Sequence, residues 1–400
     1  MQVSQLLDGH PLDTSAPAPP GRPNPADAPA TDPGGELDRW LGQLRQEVTA
    51  VLTGFVRDRC AEYVHGVPGA GFVTDLLAEF VAGGKYVRST FTYLGWLSGP
   101  GGAGTTGAGP AGAAEGAGAV RAAASTELLH AFALLQDDVM DQSALRRGRP
   151  AAHLRLAGWH RTQGLDGSAE RFGESAAVLL ADLCLVWAGQ LLRDSGLPAA
   201  ALARGWPRYD TLRGELAVGQ FADLVNDARR QPTLDQVLEV TRRKSGNYTV
   251  RRPLELGAAL AGAGARTLAT LGEYGELVGE AFQLRDDVLG VYGRPDVTGK
   301  PSGGDLRERK ATSVVVLAAE LATPAQRAEL SRLASREVLD DADVDRWRQL
   351  IVETGARIRI EQLIGQRVTA ACDRLAGQAL PGFVESTLRD LAVRYTDRAR

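Results

Sequence analysis

Apolar residues return at three- and four-residue steps along most of the chain. The stretch LDRWLGQLRQEVTAVLTGFVRDRCAEYV, residues 37–64, shows the step, as do 118–142, 172–194, 209–228, 269–292 and 356–376. That period matches the turn of an α-helix and predicts helices throughout. Alternating strand-like runs are scarce. SVVVLAAELA at 313–322 is β-branched enough to suit a strand, but its setting argues for a helix. Turn signals such as RQPTLDQ and GRPDVTGKPSGGD fall between the periodic segments. The pattern predicts one all-α domain over residues 37–400, a bundle of antiparallel helices around a central cavity.

Two stretches break the periodicity. Residues 14–36 are rich in Pro, Ala and Gly and cannot bury enough to order themselves, so residues 1–36 read as a disordered N-terminal arm. GPGGAGTTGAGPAGAAEGAG, 99–118, reads as a flexible loop between helices. The run SAAVLLADLCLVWAGQLL, 175–192, is long enough to consider as a membrane span. Asp182 in its middle is expensive in lipid, so it reads as a buried helix and no integral span is expected.

The 400 residues are 44% hydrophobic and 24% charged, ample for a large core. A net charge of −4 argues against a nucleic-acid partner held on a basic surface. Cys60, Cys184 and Cys372 lie far apart, without a CxxC pair, and the N-terminus lacks a charged start followed by an apolar core. A reduced, cytoplasmic setting fits.

The chemistry concentrates in ALLQDDVMDQSALRRGRP, 133–150. On a helix Asp137, Asp138 and Asp141 fall at roughly 0°, 100° and 40°, within one sector. Such a cluster repels itself and raises its own pKa values. A bound Mg²⁺ relieves that repulsion, and ions held by one or two carboxylates complete their shells with waters and substrate phosphates. Arg146, Arg147 and Arg149 suit the same phosphates. An acidic helix end facing solvent explains this motif alone equally well. The second copy of L-x-D-D-V decides it: Leu284, Asp286, Asp287 and Val288 match Leu135, Asp137, Asp138 and Val139. Lys300 follows on a Gly-rich loop. GGKYVR places Lys85 and Arg88 on one helical face, and RRKSGNYTV adds Lys244 beside Ser245. Two acidic helix ends, each followed by cations, point to diphosphate chemistry. His153 and His160 have no carboxylate partner at ligand spacing and read as packing residues.

These motifs together resemble the trans-isoprenyl diphosphate synthases, the polyprenyl synthetases, over roughly residues 75–315, with wording most like actinobacterial geranylgeranyl diphosphate synthases. ELLH (Glu127–His130) and GQFADL (219–224) join the match. The resemblance implies that Asp137, Asp138 and Asp141 hold one pair of Mg²⁺ ions, and Asp286 and Asp287 a third. It implies that Lys85, Arg88, His130 and Arg147 take isopentenyl diphosphate, while Arg146, Lys244 and Lys300 face the allylic diphosphate. Ser245 stands where the family often has Thr, and Gln283 is the Gln of FQ. It also implies a homodimer. The sequence departs from the family at Gly290, which replaces the last Asp of the second motif, so that side has one ligand fewer. Gln136 replaces a common His, and Tyr86 and Ser89 replace the usual Arg and Pro.

The reaction implied is head-to-tail condensation. The C–O bond of a dimethylallyl, geranyl or farnesyl diphosphate breaks, and the allylic carbocation alkylates isopentenyl diphosphate. Phe132 and Ala133 lie five and four residues before Asp137, where a tunnel for the growing tail would run; one ring with a small neighbour reads as a C20 stop, with C15 or C25 as alternatives. A class I terpene cyclase would need an Asn/Ser/Glu triad, which Asn226 does not begin, since Arg230 and Leu234 stand at the other positions. A non-catalytic subunit of a prenyl synthase would tend to lose the aspartates.

Overall fold

The computed structural model describes residues 33–103, 110–227, 232–293 and 303–397. The chain divides into two compact units, Met1–Trp40 and Leu41–Arg400. Of the first, the described part is the opening of helix α1 (Pro33–Tyr63), with Pro33 at its first position and Glu36 in its first turn. The helix thus begins ahead of residue 37; the rest of the arm expected over 1–36 lies outside the described residues.

The described part of the second unit is helical apart from one small hairpin. After α1 come α2 (Ala70–Ala82), α3 (Val87–Leu97), the single turn α4 (Pro100–Ala103) and α5 (Pro110–Met140). The loop expected over 99–118 is therefore shorter. Residues 104–109 lie outside the described residues, but α5 starts at Pro110. Alanine favours helix strongly, and Pro110 suits the first helical position. Two-residue strands Leu145–Arg146 and Arg149–Pro150 pair antiparallel. Then follow α6 (Ala152–Thr162), α7 (Ala169–Arg193), α8 (Ala199–Asp227) and α9 (Leu234–Thr241). A π-helical segment, Arg242–Arg251, leads without a break into α10 (Arg252–Leu260) and α11 (Ala265–Tyr292). The C-terminal part carries the short helix Gly304–Arg307 and the helices Ser313–Leu321, Pro324–Ala334, Asp341–Glu353, Ala356–Leu375 and Gly382–Thr396.

Helix α5 packs most extensively on α7, α3 crosses α10, and α11 lies between the π-helical segment and the helix Ala356–Leu375. Two crossings are close because glycines meet backbone. A Cβ on Gly257 would lie 1.8 Å from Thr92 O, and one on Gly95 would lie 2.2 Å from Leu254 O. Likewise a Cβ on Gly279 would lie 2.3 Å from Gly246 O, which sets α11 directly against the π-helical segment.

Buried stripes aim the acidic motifs. In α5, Ala124, Leu128, Ala131 and Leu135 are buried at steps of four and three, and the next position in that stripe is Asp138. In α11, Glu280, Leu284 and Val291 define a stripe that passes through Asp287. The second aspartate of each pair is therefore turned into the protein. One helix among the described residues, Ala169–Arg193, is long and apolar enough to cross a membrane; half of its most apolar window is buried.

Candidate active site

The first acidic motif closes α5. Asp138 is fully buried, and Arg146 Nε donates to its Oδ1 at 2.9 Å, with Nη2 closer still. Asp138 Oδ2 is buried without a hydrogen-bond partner. Arg146 Nη2 also stands 3.6 Å from Asp137 Oδ2, and Gln220 Nε2 of α8 donates to Asp137 Oδ1 at 3.4 Å. Asp141 Oδ2 is held by Lys310 Nζ at 2.6 Å. Burial opposes charge on Arg146. Its hydrogen bond to Asp138 and the fields of all three aspartates outweigh that and raise its pKa. Lys310 follows the same logic: burial works against its charge, yet the bond to and field of Asp141 push its pKa above the ordinary value.

The hairpin sends two adjacent arginines to different places. Arg147 and Gly148 sit at its centre with φ of 54° and 75°. Both are left-handed, as a tight hairpin with right-handed twist demands. Arg146, on one side of the turn, goes to Asp138. Arg147 Nη1 donates to Phe80 O at 2.9 Å, and its guanidinium lies over Gly83 and Gly84. A Cβ on Gly83 would come within 2.8 Å of Arg147 Nη1, so glycine there makes room for the cation.

GGKYVR assembles around that cation. Tyr86 has φ 50° and is buried, with its hydroxyl donating to Val81 O at 2.9 Å. This anchors the exposed Lys85 and the start of α3. Ser89 donates to Glu127 Oε1 from both N (2.8 Å) and Oγ (3.0 Å). The backbone bond would be lost with a proline at this position, so the departures at 86 and 89 have their own local structure. Arg88 lies over the Tyr248 ring, 4.3 Å from its centroid, and donates to Thr249 Oγ1 at 3.0 Å. Thus GGKYVR meets the π-helical segment that carries Lys244 and Ser245, whose side chains lie outside the described residues, as does Lys300. His130 Nδ1 is buried without a partner. Burial, then the positive fields of Arg88, Arg147 and Arg146, hold its pKa well below the ordinary value, so the ring is neutral.

In the second motif Asp287 is buried and engaged on both oxygens. Gln283 Nε2 donates to Oδ1 at 2.9 Å; Ser313 donates to Oδ2 from N (2.9 Å) and Oγ (2.6 Å). Burial raises its pKa, although these bonds favour its charge. It ties α11 to the start of the helix Ser313–Leu321. The expected ligand set is thus divided by depth: Asp138 and Asp287 are buried, whereas Asp137, Asp141 and Asp286 are half-buried. Among the described residues no three acidic, histidine or cysteine groups converge on one point for a metal. The donors are nonetheless hard oxygens beside an orphaned carboxylate oxygen, which suits Mg²⁺ completed by phosphate and water.

Sequence reasoning missed Lys310 and Gln220. Lys310 lies five residues after the last residue of GRPDVTGKPSGGD, and its signal was a cation downstream of the second motif. Gln220 lies in GQFADL. All four non-glycine residues with positive φ among the described residues, Tyr86, Gln142, Arg147 and Arg309, lie in or beside these motifs. Such conformations persist where surroundings over-determine them.

An all-helical chain with paired aspartate-rich helix ends and separate arginine-bearing positions belongs to the class of isoprenoid-transferring enzymes. The polyprenyl synthetase family model matches residues 72–351, and the chain belongs to that family of trans-prenyltransferases, which act on isopentenyl and allylic diphosphates and are generally Mg²⁺-dependent. It is 33% identical over 264 residues to geranylgeranyl diphosphate synthase of Mycobacterium tuberculosis, covering 66% of this chain and 69% of the relative. It is 33% identical over 294 residues to (2E,6E)-farnesyl diphosphate synthase of Mycobacterium bovis, covering 72% and 77%. The crystal structure of geranylgeranyl pyrophosphate synthase from Corynebacterium glutamicum, complexed with isoprenyl diphosphate and magnesium, superposes with a TM-score of 0.82 at 34% identity, covering 90% of this chain and 99% of that one.

Proposed function

We propose that this protein condenses isopentenyl diphosphate with dimethylallyl, geranyl and farnesyl diphosphates and releases geranylgeranyl diphosphate (C20). The observation that carries the two-diphosphate reading is the divergence of Arg146 and Arg147. One cation stands on the aspartate motif, and its neighbour stands over Gly83–Gly84 beside Lys85, Arg88 and His130. A cyclase, which handles one diphosphate, has no use for the second set. The relatives' names span product lengths, so C20 rests on Phe132, half-buried on the helix that ends in the first motif, with Ala133 beside it.

In this reading Asp137, Asp141 and Asp286 are the carboxylates that would hold Mg²⁺, three ions per site. The metal supplies charge neutralisation for the departing diphosphate. Arg146 and Lys310 add positive charge around that group, as Lys244 and Lys300 would; Arg147, Lys85 and Arg88 hold isopentenyl diphosphate, with the neutral His130 beside them. Helix-lined walls exclude the water that would quench the carbocation. In this reading the protein works in the cytoplasm and as a homodimer; the exposed apolar residues of α7 and α8 support the second of these.

The test is product analysis with purified protein, Mg²⁺, labelled isopentenyl diphosphate and each allylic primer. The expected product is C20, and Phe132→Ala with farnesyl diphosphate should extend it to C25 or beyond. A wild-type C15 product overturns the chain length. A cyclised hydrocarbon without label uptake favours the cyclase, and the absence of any product favours a non-catalytic subunit.

A further inference from the structure

The hairpin that carries Arg146 and Arg147 is a small element. Its strands are two residues each, Leu145–Arg146 and Arg149–Pro150, and such a hairpin is marginal on its own. Its position depends on what it is moored to. On one side Arg146 grips Asp138 near the end of α5. On the other side the mooring is the last turn of α2. Glu79 pairs with Arg149 on the return strand, and Glu79 Oε2 accepts from Arg155 Nη2 at 3.0 Å. Arg155 lies in the first turn of α6, directly after the hairpin. One carboxylate thus holds both the return strand and the helix that follows it. The next residue, Phe80, meets Arg147. Its carbonyl accepts from Nη1 at 2.9 Å, and the centroid of its ring lies 5.7 Å from the guanidinium carbon. These two groups are neutral, so they locate the cation without neutralising it.

We propose that Glu79 is a positioning residue for Arg147: by pinning Arg149 and Arg155 to the last turn of α2, it keeps the Arg147 guanidinium over Gly83 and Gly84. This rests on the assignment of Arg147 to isopentenyl diphosphate made above. Glu79 itself touches no substrate in this reading and acts through the placement of the hairpin. Arg146 has its own anchor in Asp138, so the loss of Glu79 falls on one diphosphate and spares the other. Positioning and stability also separate. Glu79 is half-buried and Arg149 is exposed, and ion pairs so placed contribute little to folding. A small displacement of an oriented cation is nonetheless felt by the substrate it orients.

The experiment measures initial rates with Mg²⁺ while isopentenyl diphosphate and farnesyl diphosphate are varied in turn, with thermal melts of the same proteins. Glu79→Gln keeps the shape of the side chain and removes its charge. It should raise the KM for isopentenyl diphosphate about three- to tenfold, with the KM for farnesyl diphosphate and the melting temperature near those of the wild type. Arg149→Gln should shift the same KM, and Glu79→Gln/Arg149→Gln should be no worse than Glu79→Gln, because both changes break one link. An unchanged isopentenyl diphosphate KM in Glu79→Gln overturns the proposal. A rise in both KM values with a lowered melting temperature does so too, since it marks a purely structural residue, as does a double variant whose two losses multiply. Should Glu79→Gln not fold, Arg149→Gln on the exposed strand decides by the same KM. Arg147→Gln separates the two levels of failure. If it raises the isopentenyl diphosphate KM and Glu79→Gln does not, only the role of Glu79 falls. If Arg147→Gln leaves that KM unchanged, the assignment of Arg147 falls and this proposal with it.

Discussion

Adjacent aspartates in one motif have different occupations. Asp138 continues the buried stripe of α5 and holds Arg146, whose guanidinium is largely buried against it. Asp137, one residue earlier, keeps contact with solvent, at the edge of that arginine and beside the amide of Gln220. Removing one partner of a buried ion pair leaves an uncompensated charge, a loss of about 3–5 kcal/mol. Asp138→Ala should therefore lower both the melting temperature and the rate. Asp137→Ala should leave the melting temperature near that of the wild type and cut turnover by orders of magnitude. Paired thermal melts and rate measurements check this, and a wild-type melting temperature for Asp138→Ala would remove its role as a clamp. The distinction was present in the sequence. Leu135 to Asp138 and Leu284 to Asp287 are both three-residue steps in apolar stripes, but the angular argument grouped the carboxylates and did not ask which shared a face with the core. The adjacent arginines are different: their divergence depends on a hairpin with two left-handed residues, which the string RRGRP does not announce.

At the scale of elements, helix existence was legible and helix limits were less so. The periodic segments 172–194, 269–292 and 356–376 correspond to Ala169–Arg193, Ala265–Tyr292 and Ala356–Leu375. SVVVLAAELA is a helix, as its setting argued. Over 110–118 glycine and proline counts suggest a loop, whereas alanine propensity favours helix once the segment runs on into a long one. The π-helical segment had no signal, because its extra residue per turn depends on what α10 and α11 press against. Helix crossings were equally hidden, since a glycine in a string does not say whether backbone lies beside it. Two substitutions separate the cases. Gly257→Ala meets Thr92 O and Trp96 N, neither of which moves without shifting α3, so the cost should reach the upper end of the usual 1–3 kcal/mol for overpacking, about 3 kcal/mol or more. Gly54→Ala, in mid-α1 with nothing within 4 Å of the added atom, should stabilise by about 0.5–1 kcal/mol, because alanine has less freedom to lose. Denaturant melts of both variants check the pair; a destabilised Gly54→Ala would mean that its face is covered in solution.

For the whole molecule the open question of surface is the apolar face left on two neighbouring helices. Gly189 of α7 lies near Trp206, Tyr209 and Arg213 of α8, so the helices are adjacent. Leu179 and Val186 of α7 are exposed one heptad apart, and Val218, Phe221 and Val225 are exposed at helical steps on α8. Exposed apolar residues in this number mark a candidate binding face. The length of α7 alone would also permit a membrane, but Asp182 within it accepts a hydrogen bond from Gln136 at 3.4 Å, a polar pairing inside the run rather than at its ends. A second copy covering the same residues in both directions, as two-fold pairing requires, fits the proposed homodimer. In detergent-free buffer the protein should sediment at about twice its 42.4 kDa chain mass. Each large apolar side chain buried there contributes about 1.5–3 kcal/mol, and an aspartate in its place adds a charge to desolvate, so Leu179→Asp/Phe221→Asp should dissociate the pair at micromolar concentration. The consequence extends to the site, because Phe221 adjoins Gln220, which holds Asp137. The dissociated variant should turn over more slowly than the wild type, and its specific rate should rise with protein concentration as pairs re-form. A wild type that sediments as a single chain, or a dissociated variant with an undiminished rate, would separate the apolar face from catalysis.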